Sequence, residues 1–365
     1  MKSIYIGMDA HSSTSTLVTV DCEGRELERI ELLTNEKELS IYFKHLREKW
    51  GKRRLCLTIE EMSLSRWLYS FLAPIVDEMM VCNPLYITRK TQKKNDYIDA
   101  AHLAQQLRTN NLVGVFHDEH NKFMDLRVLV SSYQDIVNSI VKAKSQFKAI
   151  YLREGKRQQG QTVFGQENPE EILGSEVHRF SAKAHFDHLQ KLDEIKERYL
   201  ERFEKNKKEF SVIKNLSTIP GIGIVRANFI AAIVCDGRRF KNKHHFWSYC
   251  GLVSHDQVSA GKSYGMKKSR GIRALKSLFI NAAQNLISIS QSQYGQQLYE
   301  QYEKKNPNND KIIRRNIARK IAAIALVVMK KDEPFKQFHE LKEKRKESAE
   351  LNSKSSFPSP MTSKS

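Results

Sequence analysis

Cysteine is scarce and unpatterned. Cys22, Cys56, Cys82, Cys235 and Cys250 are odd in number, and no two of them form a C-x-x-C pair. That argues against a disulfide framework and a zinc ribbon, and favours a reducing compartment. Long apolar runs are lacking as well. The longest, Ile321–Met329, is too short to cross a bilayer. The opening residues MKSIYIGMDA read as the approach to a strand rather than as a signal peptide. The expectation is a soluble cytoplasmic protein with no membrane partner.

Negative charge is the third thing in short supply, and only in one place. Residues 212–340 hold 22 Lys/Arg against 8 Asp/Glu, whereas residues 1–113 hold 16 against 15 and residues 114–211 hold 17 against 16. The net charge of +19 over 365 residues therefore sits mostly in the last third. Such self-repulsion calls for a polyanionic partner, and it locates the binding surface there. A hydrophobic content of 40% is enough to bury cores in two domains.

Alternation predicts three strands, Ser3–Met8, Thr16–Val20 and Leu27–Leu33, with Cys22-Glu23-Gly24 as a turn. Helical spacing follows over Asn35–Trp50, with Leu39, Tyr42, Phe43 and Leu46 on one face. Leu55–Ile59 and Met79–Cys82 read as strands, with Ser65–Ile75 and Asp96–Leu107 as helices. Ile98, Leu103 and Leu107 are assigned to the apolar face of the last. The order β-β-β-α-β-α-β-α implies a meander extended by right-handed crossovers. It is the order of the ribonuclease-H-like (RuvC-like) α/β fold, and other α/β sheets share it.

Four segments are expected: an α/β domain over 1–113, a helical connector over 114–211, a mostly helical basic domain over 212–340, and a disordered tail over 341–365. In the connector, apolar residues such as Leu126, Val130, Tyr133, Ile136, Ile140 and Phe147 recur at three-to-four spacing. Helices over about 122–151 and 184–211, around a polar tip Gly155–Gly174, suggest an antiparallel coiled coil or an ordinary bundle.

Four acids stand where such a sheet places its sites. Asp9 ends the first strand and Glu60 the first crossover strand, so their carboxyl ends are neighbours. Asp96 and Asp99 are three apart on a helix and share a face. Four clustered carboxylates cannot all remain ionised without cations. Two Mg²⁺ or Mn²⁺ ions about 4 Å apart would neutralise them and act on a scissile phosphate. Taken singly, each acid could be a cap or an exposed side chain. The segment I-Y-I-G-M-D-A-H-S-S-T resembles the phosphate loop of sugar kinases, but Ala10-His11 stands where that loop needs glycine.

In the basic domain, Ile219-Pro220-Gly221-Ile222-Gly223 between helices has the form of a helix-hairpin-helix turn. Gly221 and Gly223 could then turn backbone N–H groups to a DNA phosphate, and a plain interhelical turn is the alternative. Further on come Gly251-Leu252-Val253, then Ser259-Ala260-Gly261-Lys262, Lys267-Lys268, and Gly271-Ile272-Arg273-Ala274-Leu275-Lys276. By chemistry alone Ser259 is one loop serine among many.

The ordered set D…E…K-x-D-x-x-D-A, I-P-G-I-G, G-L-V…S-x-G…G-x-x-x-L-K…A-A resembles the IS-one-ten transposase family, relatives of the Piv/MooV DNA invertases. The resemblance spans about residues 1–340. It implies a RuvC-like DEDD domain whose metal-binding acids are Asp9, Glu60, Asp96 and Asp99, with Lys94-Asn95-Asp96 where the family often has K-T-D. It implies a catalytic serine at Ser259, with Ser263 the nearest competitor, and nucleic-acid contacts from Gly221, Gly223, Lys262, Lys267, Lys268 and Arg273. Donor and target DNA, a structured guide RNA and a homo-oligomer, dimer or tetramer, are the implied partners. The chain departs from the family where E-A-T-G reads Glu60-Glu61-Met62-Ser63, which leaves Glu61 as an alternative ligand. A junction nuclease using activated water, and a non-catalytic nucleic-acid-binding scaffold, are the competing functions.

Overall fold

The computed structural model describes residues 3–84, 87, 95–115, 122–259, 262–268, 271–288 and 293–335. The expected tail over 341–365 and Lys94 lie outside the described residues. The chain divides into two compact units, Met1–Lys122 and Phe123–Ser365.

The first unit is built on one mixed sheet. Strands β1 (Ile4–Ala10), β2 (Thr14–Val20) and β3 (Glu26–Leu33) form an antiparallel meander, and β4 (Leu55–Glu60) and β5 (Glu78–Cys82) add in parallel beyond β1. The order is β3-β2-β1-β4-β5. The crossovers are α1 (Glu36–Trp50) and α2 (Ser65–Leu72). This mixed topology is consistent with the expected ribonuclease-H-like α/β domain.

The period of two along β1 sorts its side chains between the sheet faces. Ile4, Ile6 and Met8 join Leu39, Phe43 and Leu46 of α1 and Leu68 and Leu72 of α2 in one core. The other face is covered by α3 (Asp96–Arg108) through Ala100 and Ala104, packed with Val18 and Val20. Ile98 differs from expectation: it is 44% exposed. Along the helix it lies about half a turn from Ala100, which faces the sheet.

Among the described residues the second unit is helical except for one hairpin. Helices α4 (Phe123–Arg153) and α5 (Glu176–Glu209) run antiparallel, since Phe147 and Tyr151 meet Ala182 and Phe186 while Tyr133 meets Tyr199 and Phe203. The tip between them is more structured than its polar composition suggests. Two 3₁₀ turns, Thr162–Gly165 and Pro169–Ile172, bury Val163 and Pro169, and Leu173 beside them is buried too. Glu154 locks the tip by accepting backbone N–H bonds from Gly174 at 2.8 Å and Ser175 at 2.9 Å. Lys156 and His178 complete its shell, and these donors hold the carboxyl well below its ordinary range.

Beyond the hairpin come α6 (Ser211–Leu216), α7 (Ile224–Val234), α8 (Lys243–Tyr249), β6 (Ser254–Ser259), β7 (Lys262–Lys268), α9 (Arg273–Ser288), α10 (Gln293–Glu303) and α11 (Asp310–Lys331). The apolar stretch of α11 is the axis of this unit's core, where Ile313, Ile317 and Ile321 sit with Ile213, Phe246 and Phe279. Among the described residues no helix is long and apolar enough to cross a membrane.

Candidate active site

Asp9 and Asp96 come together because a helix rests directly on a strand. Gly7 lies mid-way along β1, where a Cβ would collide with the Ala100 carbonyl oxygen and the Ala104 nitrogen of α3. With hydrogen in place of a side chain, the α3 backbone touches the sheet. Two residues further along the same face of β1 comes Asp9, which therefore emerges beside the N-terminus of α3. The cap of α3 is Asn95, whose Oδ1 accepts from the Tyr97 N–H at 2.9 Å. Because Asn95 does the capping, the Asp96 carboxylate is not committed to the helix start. Both Asp96 and Asp99 fall in the first turn, where the helix dipole favours negative charge.

Glu60 is the last residue of β4, one step beyond Ile59, which pairs with Met8 of β1. It is partly buried while Glu61 is exposed. Burial raises the Asp9 carboxyl above its ordinary value; His11 draws it back, and the charges of Asp96, Asp99 and Glu60 push it up further. The charges of the other three acids thus bear on Asp9, while among the described residues the close group of possible ligand atoms is Asp9, His11 and Asp96, without Glu60 or Asp99.

The structure adds a residue that the acid pattern did not single out. His11 Nε2 lies 3.5 Å from Asp9 Oδ2 and 3.7 Å from Asp96 Oδ2. One donor atom from each of Asp9, His11 and Asp96 falls within 4.8 Å of the others. His11 entered the sequence reading only as a break in a phosphate loop. The missed signal was a ligand-type side chain two residues past a strand-end aspartate. Several hard oxygen donors, mutually repelling and partly desolvated, suit a divalent cation of the Mg²⁺ or Mn²⁺ type.

The basic segment divides into a packed part and an exposed part. Gly221 adopts φ +85°, and a Cβ there would sit 2.6 Å from the Ala282 carbonyl oxygen of α9. Its lack of a side chain serves helix packing. Gly223 heads α7 with open space around it. Gly251, at φ +65°, meets Gly271 backbone to backbone. Between these two glycines the chain makes the β6–β7 hairpin. Ser259 was expected in a loop, but it is the last residue of β6, with Lys262 as its pairing partner across the turn. The side chains of Ser259, Ser263, Lys267 and Lys268 lie outside the described residues, as do Ala260 and Gly261. Lys262 and Arg273 are exposed.

Two family models match the chain in the order of its units. The DEDD transposase model of the IS110 type covers residues 6–154, and that of the transposase IS116/IS110/IS902 family covers residues 213–300. The chain belongs to the IS110 family of transposases. The first match takes in the strand ends and the first turn of α3, and the second spans the I-P-G-I-G turn, the paired glycines and the serine hairpin. Among curated proteins, the transposase for insertion sequence element IS1328 of Yersinia enterocolitica is 29% identical over 117 residues, 32% of this chain and 35% of that one. The chain thus covers about a third of that relative's length.

Proposed function

We propose that this member of the transposase family cuts and rejoins DNA strands, using Asp9, Glu60, Asp96 and Asp99 as a divalent-cation site and Ser259 as the nucleophile. The observation that carries the reading is the close grouping of Asp9 from β1 with Asp96 from α3 around His11, with the charges of Asp99 and Glu60 also bearing on Asp9. One imidazole, His11, lies between Asp9 and Asp96, and the charges of Asp96, Asp99 and Glu60 bear on Asp9, an arrangement of acids that a divalent cation would suit.

When bound, Mg²⁺ or Mn²⁺, two ions by the number of acids, neutralises that charge and polarises a phosphodiester oxygen. The protein's share is placement. Asp9 and Glu60 fix one side of the site from rigid strand ends, and Asp96 and Asp99 close it from α3. Ser259 Oγ attacks phosphorus and forms a new P–O bond. The sugar oxygen on that phosphorus leaves with the bond electrons and takes up a proton, so the strand is held as a phosphoserine. A second sugar hydroxyl reverses the step, restores the serine hydroxyl and joins the exchanged strands. Lys262 and Arg273, with Lys267 and Lys268, supply positive charge for the phosphates, and Gly223 offers backbone N–H at the start of α7 in the manner of a helix-hairpin-helix.

Donor and target DNA are the substrates of this reading, and a structured guide RNA selects them. The α4–α5 arm serves as a coiled coil that joins copies of the chain. The excess of basic residues over 212–340 supports polyanion binding.

The test is an adduct assay on nicked substrate, with Asp9→Asn and Ser259→Ala variants beside wild type. Wild type should form a protease-sensitive protein–DNA adduct, and both variants should lose adduct and recombination while still retarding DNA. Hydrolysed ends without adduct would make the protein a junction nuclease. Normal recombination by Ser259→Ala would remove the serine from the mechanism.

A further inference from the structure

We infer that His11 is a nitrogen ligand of the Asp9 cation site and biases that site toward Mn²⁺ over Mg²⁺. The inference rests on the carboxylates being a cation site, and adds which cation they take and through which atom.

The geometry comes first. His11 sits in the turn joining β1 to β2, held by its own backbone N–H, which donates to the Thr14 carbonyl at 2.8 Å. The imidazole is therefore not needed to make the turn. It is 54% exposed, and it lies between carboxylates from two different elements, one on β1 and one on α3. Its distances of 3.5 Å and 3.7 Å exceed the range of about 2.7–3.2 Å for an N–H···O bond. The ring is near both acids and bonded to neither.

That spacing is close to, and slightly wider than, the spacing of donors around an octahedral ion. With bonds of about 2.1 Å, adjacent donors lie about 3 Å apart and opposite donors about 4.2 Å apart. The three donor atoms here fall within 4.8 Å of one another, so modest rotations of the imidazole and the two carboxylates would bring them onto one ion. Had His11 been an ordinary counter-charge, the favoured arrangement would be a direct hydrogen bond to one carboxylate.

Ligand type then sets selectivity. Mg²⁺ prefers oxygen and gives up its waters reluctantly, whereas imidazole suits first-row transition metals. Mn²⁺ accepts both kinds of donor. A site of carboxylates plus one imidazole therefore retains Mg²⁺ through oxygen and gains on Mn²⁺ through nitrogen.

The experiment uses the full chain with Mn²⁺ alone, without nucleic acid. Free Mn²⁺ is followed by electron paramagnetic resonance during titration, and the bound ion is probed for nitrogen coupling by the pulsed method. Wild type should show nitrogen coupling. His11→Asn should lose it and bind Mn²⁺ about tenfold more weakly, the scale of losing one orienting or ligating group. Mg²⁺ affinity, read by competition, should not change. His11→Asp, with oxygen in place of nitrogen, should restore Mn²⁺ binding without the coupling and erase the preference.

Bound Mn²⁺ without nitrogen coupling in wild type would overturn the inference. So would His11→Asn binding Mn²⁺ as tightly or more tightly, since the imidazole would then be a counter-charge that competes with the ion. Both results leave the carboxylate site standing. If wild type binds no Mn²⁺, or binds it no better than Asp9→Asn, the cation site of the proposed function fails and this inference goes with it. Far-ultraviolet circular dichroism of each variant establishes that the fold is retained.

Discussion

Two glycine contacts position the two halves of the proposed chemistry, and they differ in kind. In the first unit Gly7 meets a helix backbone at Ala100 and Ala104, and the contact sets where α3 presents Asp96 and Asp99 to Asp9. In the second unit Gly251 and Gly271 meet each other, and the contact closes the root of the hairpin that carries Ser259. The acid site is thus held by a helix lying flat on a sheet. The serine is carried on a two-stranded hairpin fixed at its base. A backbone-to-backbone contact has no side chain that can move aside, so both contacts should tolerate substitution poorly.

The largest effect is expected from Gly7→Ala. Its new methyl group would overlap the Ala100 oxygen and the Ala104 nitrogen, so α3 must shift. A cost at or above the upper end of about 1–3 kcal/mol is expected, read from the urea midpoint. Any stabilisation by added Mn²⁺ should vanish as well, because the helix carrying Asp96 and Asp99 has moved. A variant with normal stability and a normal Mn²⁺ response would show that α3 does not need this contact.

Gly271→Ala comes next, at about 2–3 kcal/mol by the same overpacking argument. Its Cβ would lie 2.7 Å from the Ser248 carbonyl oxygen and closer still to Gly251. Gly251→Ala should cost less. There the added methyl meets nothing nearer than 3.5 Å, and only the strain of φ +65° remains, about 1–2 kcal/mol. If the two substitutions reverse in rank when compared by thermal unfolding, the hairpin root is not closed by this contact.

Strand-end acids and period-two alternation are local patterns, so Asp9, Glu60 and the meander could be read from the residues alone. Asp96 and Asp99 could be placed on one face by spacing. Their distance from Asp9 could not, because it depends on Gly7, and a glycine within a strand reads only as a weakness. The β6–β7 hairpin escaped because Ser254–Ser259 and Lys262–Lys268 are largely polar, with no apolar alternation to mark a strand. The tip of the α4–α5 arm was read as a polar link, since isolated Val163 and Leu173 have no period. What stabilises it is the carboxylate of Glu154 acting on backbone donors twenty residues away in sequence. His11 was passed over because its partners come from separate elements, and their meeting is a tertiary fact.

The smallest effects sharpen the comparison within the first unit, because carboxylates at the two ends of its sheet are shifted in opposite directions. At one end Asp77 accepts the Leu55 N–H at 2.8 Å, where β4 begins, and Arg47 at 3.0 Å. The backbone bond from Leu55, and then Arg47, hold its carboxyl below the ordinary value. At the other end Asp9 is raised, first by burial and then by its acidic neighbours. A depressed folded value means that Asp77 contributes stability above the unfolded pKa and loses it as pH falls through the folded one. A raised value means that Asp9 costs stability once pH exceeds the unfolded pKa, fully so above the folded one. Without divalent cations at neutral pH, Asp9→Asn should therefore stabilise the fold by no more than about 1 kcal/mol and raise the melting temperature. Asp77→Asn should cost about 0.5 kcal/mol of stability, lower the melting temperature and flatten the acid side of the stability curve, the exposed ion pair being screened by solvent. The signs decide the matter. A carboxylate built in for stability behaves as Asp77 does, and if Asp9→Asn lowers the melting temperature, Asp9 is structural as well.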